Sequence, residues 1–267
     1  KDKDLVEVGL VGTDGKPIKL TRGMMLSLMM HLERDGNKRA IMTGGITIPD
    51  IKLYYKGKTS DAVANGREIS VVSVSEEIYE TLHDIDNAET DEEKIAGQDK
   101  LTQLTAIANQ DLDRVRDNIR GQMTDWEKRF VDTAKTWFNE TQKDYINEAT
   151  DKVWHYLAAR VDDYFPIYRN KNFVNTAFES VVSDMMPASW GNVKNRTVSK
   201  SPVVVADIST VLNPSANGAA RFAAWLPFTT DMNALWNYRV NVGNNEQESF
   251  KNTLGRMWGA ESEKVGV

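Results

Sequence analysis

Cysteine is absent from the 267 residues. Its absence excludes disulfides, thiolate metal sites and cysteine nucleophiles, and it fits a reducing compartment. Histidine is almost as scarce: His31, His83 and His155 are the three in the chain. Each falls on an expected helix near acidic residues. None has a second histidine or carboxylate at the spacing of a metal-binding helix such as H-E-x-x-H. They read as partly exposed surface residues, and no metal or cofactor is expected. No apolar run approaches the roughly 18–20 residues that a membrane span requires, and no signal peptide is expected. An excess of positive charge is missing too. Lys and Arg number 33 against 39 Asp and Glu, for a net charge of -6, which weakens a reading as a general nucleic-acid binder. There is no G-x-S-x-G elbow, and no triad can be drawn from the many Ser and Thr without assuming proximity.

Two partial motifs fail on inspection. Gly57-Lys58-Thr59 has the ending of a phosphate-binding loop, but Lys52 stands where that loop needs glycine. A turn followed by a helix start is expected instead. Asp84 and Asp86 open a calcium-loop pattern, but Glu89 occupies the position of its tight-turn glycine. The stretch 84–94 therefore reads as a solvated acidic loop.

What is present is helical periodicity. Hydrophobic content of 40% and charged content of 27% are ordinary for a folded chain. From Thr124 to Pro166 the residues Trp126, Phe130, Ala134, Trp137, Thr141, Tyr145, Ala149, Val153, Leu157, Val161 and Tyr164 recur at steps of three and four. That row predicts one aromatic-rich buried stripe, and the whole chain is expected to organise around it. A preceding helix carries Leu101, Leu104, Ala108, Leu112, Val115, Ile119 and Met123. Gly121 and the T-x-x-E box of Thr124 and Glu127 predict a break at about 121–124.

Upstream, residues 5–20 read as short strands around Thr13-Asp14-Gly15. Thr21 reads as the N-cap of a helix through Met24, Met25, Leu28, Met29 and Leu32, its methionines expected as core filler. Gly44-Gly45 and Pro49 predict a turn and a short extended piece. Ser75 is expected to cap a helix burying Ile78, Leu82 and Ile85.

Downstream, Pro166 should stop the central helix. Another helix is expected from Asn175 to Met186, then a polar loop. Asp207 should start a short helix that Asn213-Pro214 breaks, followed by a helix from about Asn217 bent or divided at Pro227. A last amphipathic helix is expected after Gly243, around Phe250, Leu254 and Trp258. The fold class is thus mainly α: an elongated multi-helix unit with long central amphipathic helices. A small irregular part with short strands, residues 1–74, should pack on a helical body, residues 75–267. The chain opens KDKDLVEVG without an initiating methionine, which suggests a piece of something longer.

The best basic cluster is Lys194, Arg196 and Lys200, with Arg169 as a further contact. It could hold a phosphate or a nucleic-acid backbone, or neutralise acidic helices. Trp190 beside it reads as a stacking platform or a packing anchor. Asp162-Asp163 could be an acid pair, or could pair with Arg160 and Arg169 at a helix end.

The stretches LTRGMMLSLMMHLERDGNKRAIMTGG, DIKLYYKGKTSDAVANG, TDWEKRFVDTAKTWFNETQKDYINEATDKVW with DDYFPIYR, and KNRTVSKSPVVVADISTVLN with RFAAWLPFTTDMNALWN follow one another over about residues 20–240. Their order resembles the large polyvalent proteins of tailed phages and related mobile elements, very long multi-domain proteins often carried in the virion. The chain departs from that pattern at Trp154-His155-Tyr156-Leu157, where the group shows a Gly-Tyr pair. The resemblance implies a phage or prophage origin, a location in the virion or in the host cytoplasm after delivery, and a scaffold-like segment between enzymatic modules. It supplies no catalytic residues. The function expected is therefore non-enzymatic and structural, through contacts with virion proteins or other domains of the same polypeptide. The alternatives are a nucleic-acid-binding module used during ejection, or an enzyme assembled from dispersed residues such as Asp162, Asp163, Arg169 and Arg196.

Overall fold

Strict alternation of inward and outward residues sets the first two strands. In β1 (Leu5–Val11) Val6, Val8 and Leu10 point inward, and in β2 (Pro17–Thr21) Ile18 and Leu20 do. The strands pair antiparallel, with Val6 opposite Leu20. The computed structural model describes residues 5–12, 14–160, 165–168, 201–243 and 246–258. The described chain is mainly α with a few short strands.

Thr21 ends β2 and caps α1 (Arg22–Leu32), its hydroxyl accepting from Met24 N at 3.2 Å. The helix is apolar on every side, and residues 24–32 are all buried. Met24, Met25, Met29 and Met30 are 0–1% exposed, so the methionines are core filler as expected. A helix of this kind must be covered on all faces. The cover comes from β1, β2, α2 (Asp35–Gly44), α6 (Asp91–Gln122) and α7 (Asp125–Thr136).

Gly45 leaves α2 at φ +66° and feeds β3 (Ile46–Ile48). That strand is central in a three-stranded sheet, antiparallel to β4 (Arg67–Ile69) and parallel to β5 (Val203–Val204). Between β3 and β4 lie α3 (Ile51–Tyr55) and α4 (Thr59–Ala64). Gly57, at φ +76°, makes the turn before α4, so the turn-then-helix reading holds. Next comes α5 (Ser75–Asn87). Where a turn was expected, α2 forms; its apolar residues are confined to Ala40, Ile41 and Met42, too few to show a helical period. Ser75 is not the cap of α5; its hydroxyl donates to the Met42 carbonyl instead. The acidic loop shrinks to residues 88–90, because Thr90 and Glu93 form a capping box that starts α6.

The break at 121–124 is present. Gln122 ends α6, and Thr124 and Glu127 form the expected box at the head of α7. Beyond it, the buried row differs from the expected one. A π-helical segment (Trp137–Gln142) joins α7 to α8 (Lys143–Trp154). Glu127, Val131, Ala134, Phe138, Gln142, Ile146, Ala149 and Thr150 are buried along this run. Trp126 is 62% exposed and Tyr145 49%, while Phe130, Trp137 and Trp154 are half-buried. Ala134 and Ala149 are buried as expected, but Val131, Phe138 and Ile146 turn inward in place of Phe130, Trp137 and Tyr145, each one position and about 100° further round the helix, a choice periodicity alone could not make. The helix also stops early. His155 takes φ +54°, a left-handed exit, well before Pro166.

The last long helix, α9 (Ile208–Asn237), runs without a break through Pro214 and Pro227. Asp207 caps it as expected, accepting from Ser209 N at 3.0 Å. Each proline removes one backbone bond, but buried neighbours anchor the helix around them, Val211 and Ala219 on either side of Pro214 and Phe222 and Leu226 ahead of Pro227. The residues after Tyr238 form a hairpin, β6 (Arg239–Gly243) and β7 (Glu246–Ser249), before α10 (Phe250–Trp258). The helix expected over Asn175–Met186 lies outside the described residues.

Two compact units emerge. One comprises Lys1–Lys143 with Ala159–Gly218, the other Asp144–Ala158 with Ala219–Val267. The first holds the continuous core built on α1, the β-sheets, α6 and α7. In the second, Ile146, Ala149, Ala219, Phe222 and Leu226 are buried, and the Trp154 and Phe222 rings lie 6.1 Å apart.

Gly45 gives a direct test of this geometry. A Cβ there would sit 2.4 Å from the Ile69 carbonyl, at a φ that L-residues avoid. Gly45→Ala should destabilise the fold by about 1–3 kcal/mol in urea titration.

Candidate functional site

The residues singled out for phosphate or nucleic-acid contact, Lys194, Arg196, Lys200 and Arg169, lie outside the described residues, as do Asp162 and Asp163. Of the histidines, His83 and His155 are exposed, as expected. His31 is a correction: it is fully buried. Asn37 Nδ2 lies 2.9 Å from its Nδ1 and donates to the Phe165 carbonyl at 3.2 Å. The His31 ring meets Phe165 edge-on at 4.7 Å. Because α1 is enclosed on every face, its last turn is interior, and the helix's charged flank never existed to expose His31. Among the described residues, no group of three or more His, Asp or Glu is placed to hold a metal ion.

Polar side chains converge at one place that the sequence did not reveal. Asp207, at the head of α9, meets Tyr54 and Tyr55 of α3 and the N-terminus of α1. The Asp207 N–H donates to the Tyr54 hydroxyl at 3.2 Å, Tyr54 lies 2.8 Å from Thr210 Oγ1, and Thr210 donates to the Asp207 carbonyl at 2.7 Å. These bonds form a closed ring in which each hydroxyl accepts once and donates once. Tyr55 donates to Asp207 Oδ2 at 3.2 Å. Gly23 makes room for that carboxylate, since a Cβ there would fall 2.0 Å from Oδ2. Burial pushes both phenols above their ordinary pKa. They remain protonated donors, and the arrangement acts as a joint fastening α3, α1 and α9. Nothing local in the sequence connects these residues, which lie 152 to 156 positions apart.

Two carboxylates tie down α1. Glu127, nearly buried, receives both Nε and Nη2 of Arg22, and its Oε2 also accepts from Thr124 N at 2.8 Å and Thr124 Oγ1 at 2.9 Å. The Arg22 fork is the main reason that its pKa is lowered to about 2. At the other end, Glu33 binds Lys135 of α7 and lies 3.7 Å from Arg120 of α6. Asp111 is similarly committed, accepting from Ser73 N and Oγ at 2.8 Å each, which lowers its pKa.

A different surface stands out on the second unit. Among the described residues, thirteen large hydrophobic side chains are exposed, and eight belong to this unit: Tyr145, Tyr156, Leu157, Trp225, Phe228, Met232, Leu235 and Tyr238. Four of them form a row on α9. Phe222, Trp225, Leu226 and Phe228 all belong to the helix expected from about Asn217. The structure divides them: Phe222 and Leu226 are buried, while Trp225 and Phe228 are 52% and 53% exposed. Charge does not interrupt the row, because Arg221 and Asp231 are the sole charged residues of α9. No helix among the described residues is long and apolar enough to cross a membrane.

No family model, curated protein or solved structure matches the chain.

The Glu127 pair gives a signed pH dependence. Its folded-state pKa of about 2 lies below the ordinary 4.5. Its stabilisation is therefore complete above about 4.5 and is lost as pH falls through the folded value toward 2. Glu127→Gln should flatten the acid limb of unfolding free energy against pH, removing on the order of 2 kcal/mol near neutrality.

Proposed function

We propose that this chain is a non-enzymatic structural and interaction segment of a large virion-associated phage protein, working through protein contacts in packaging or delivering attached domains. The concentration of exposed apolar side chains on the second unit carries this reading. Monomeric proteins rarely expose contiguous apolar patches of large size, and such patches mark contact surfaces. The first unit supplies the complementary feature. Its buried and half-buried carboxylates at Glu127, Glu33, Asp111 and Asp207 are engaged in helix caps and in cross-links between elements. The phage assignment rests on the order of the motifs between residues 20 and 240.

The test uses the whole polypeptide in the phage that encodes it. Trp225→Ser with Phe228→Ser should lower incorporation of the attached domains into virions by about tenfold or more, equivalent to over 1.4 kcal/mol of contact energy. The thermal unfolding midpoint of this chain should stay close to that of the parent. Normal incorporation and infectivity in the double variant would refute the proposal.

A further inference from the structure

We draw no further inference here: the strongest candidate, the exposed apolar row of Trp225, Phe228, Met232 and Leu235 along α9 in the second unit, carries nothing beyond the contact role already proposed, because nothing in the structure shows what covers it.

Discussion

A helix with no polar face must be surrounded, and α1 is such a helix. Residues 24–32 are buried without exception, including Ser27 and His31. Each methionine or leucine enclosed there contributes roughly 1.5–3 kcal/mol relative to exposure. The rest of the first unit is arranged to provide that enclosure. The β1–β2 hairpin turns Val8 and Leu20 toward it, α2 folds back through Ile41, and α6 and α7 close the remaining sides through Leu112, Ile119 and Val131. Ion pairs hold both ends in place: Arg22 to Glu127 at the start, Glu33 to Lys135 and Arg120 after the finish. Asp207 packs closely against the same N-terminus at Gly23 while the tyrosines bond it to α3.

The two units spend their apolar residues differently. In the first, methionine and aliphatic side chains fill an interior, and polar groups are consumed in joints between helices. In the second, a small buried set around Phe222 and Leu226 coexists with Trp225, Phe228, Met232 and Leu235 facing outward. An interior scaffold and an outward apolar face are what the proposed contact role calls for.

Much of this was legible from the residues. Local signals were the most reliable: the Thr21 cap, the break before Thr124, the Asp207 cap and the methionine core all depend on side chains within a few positions of one another. Burial of particular faces was less so. The aromatics Phe130 and Trp137 were as regularly placed as Val131 and Phe138 one position further on, and only packing against the core turned the second pair fully inward. The organising element was consequently α1 and not the longer helix after Thr124. Pro214 misled because proline weakens a helix locally while flanking burial can outweigh it. The Asp207–Tyr54 joint has no sequence signature at all, since its partners are brought together by the parallel pairing of β5 with β3. The basic cluster at Lys194, Arg196 and Lys200 lies outside the described residues, so its reading stays where composition left it.

Native-state hydrogen exchange of the α1 amides tests the enclosure of that helix most directly. If every face of α1 is covered, Met24 to Leu32 can exchange only when the whole first unit unfolds, and their opening free energy should equal the global value from denaturant titration. Exchange of those amides through a cheaper opening, ahead of the amides of α6 and α7, would contradict the account.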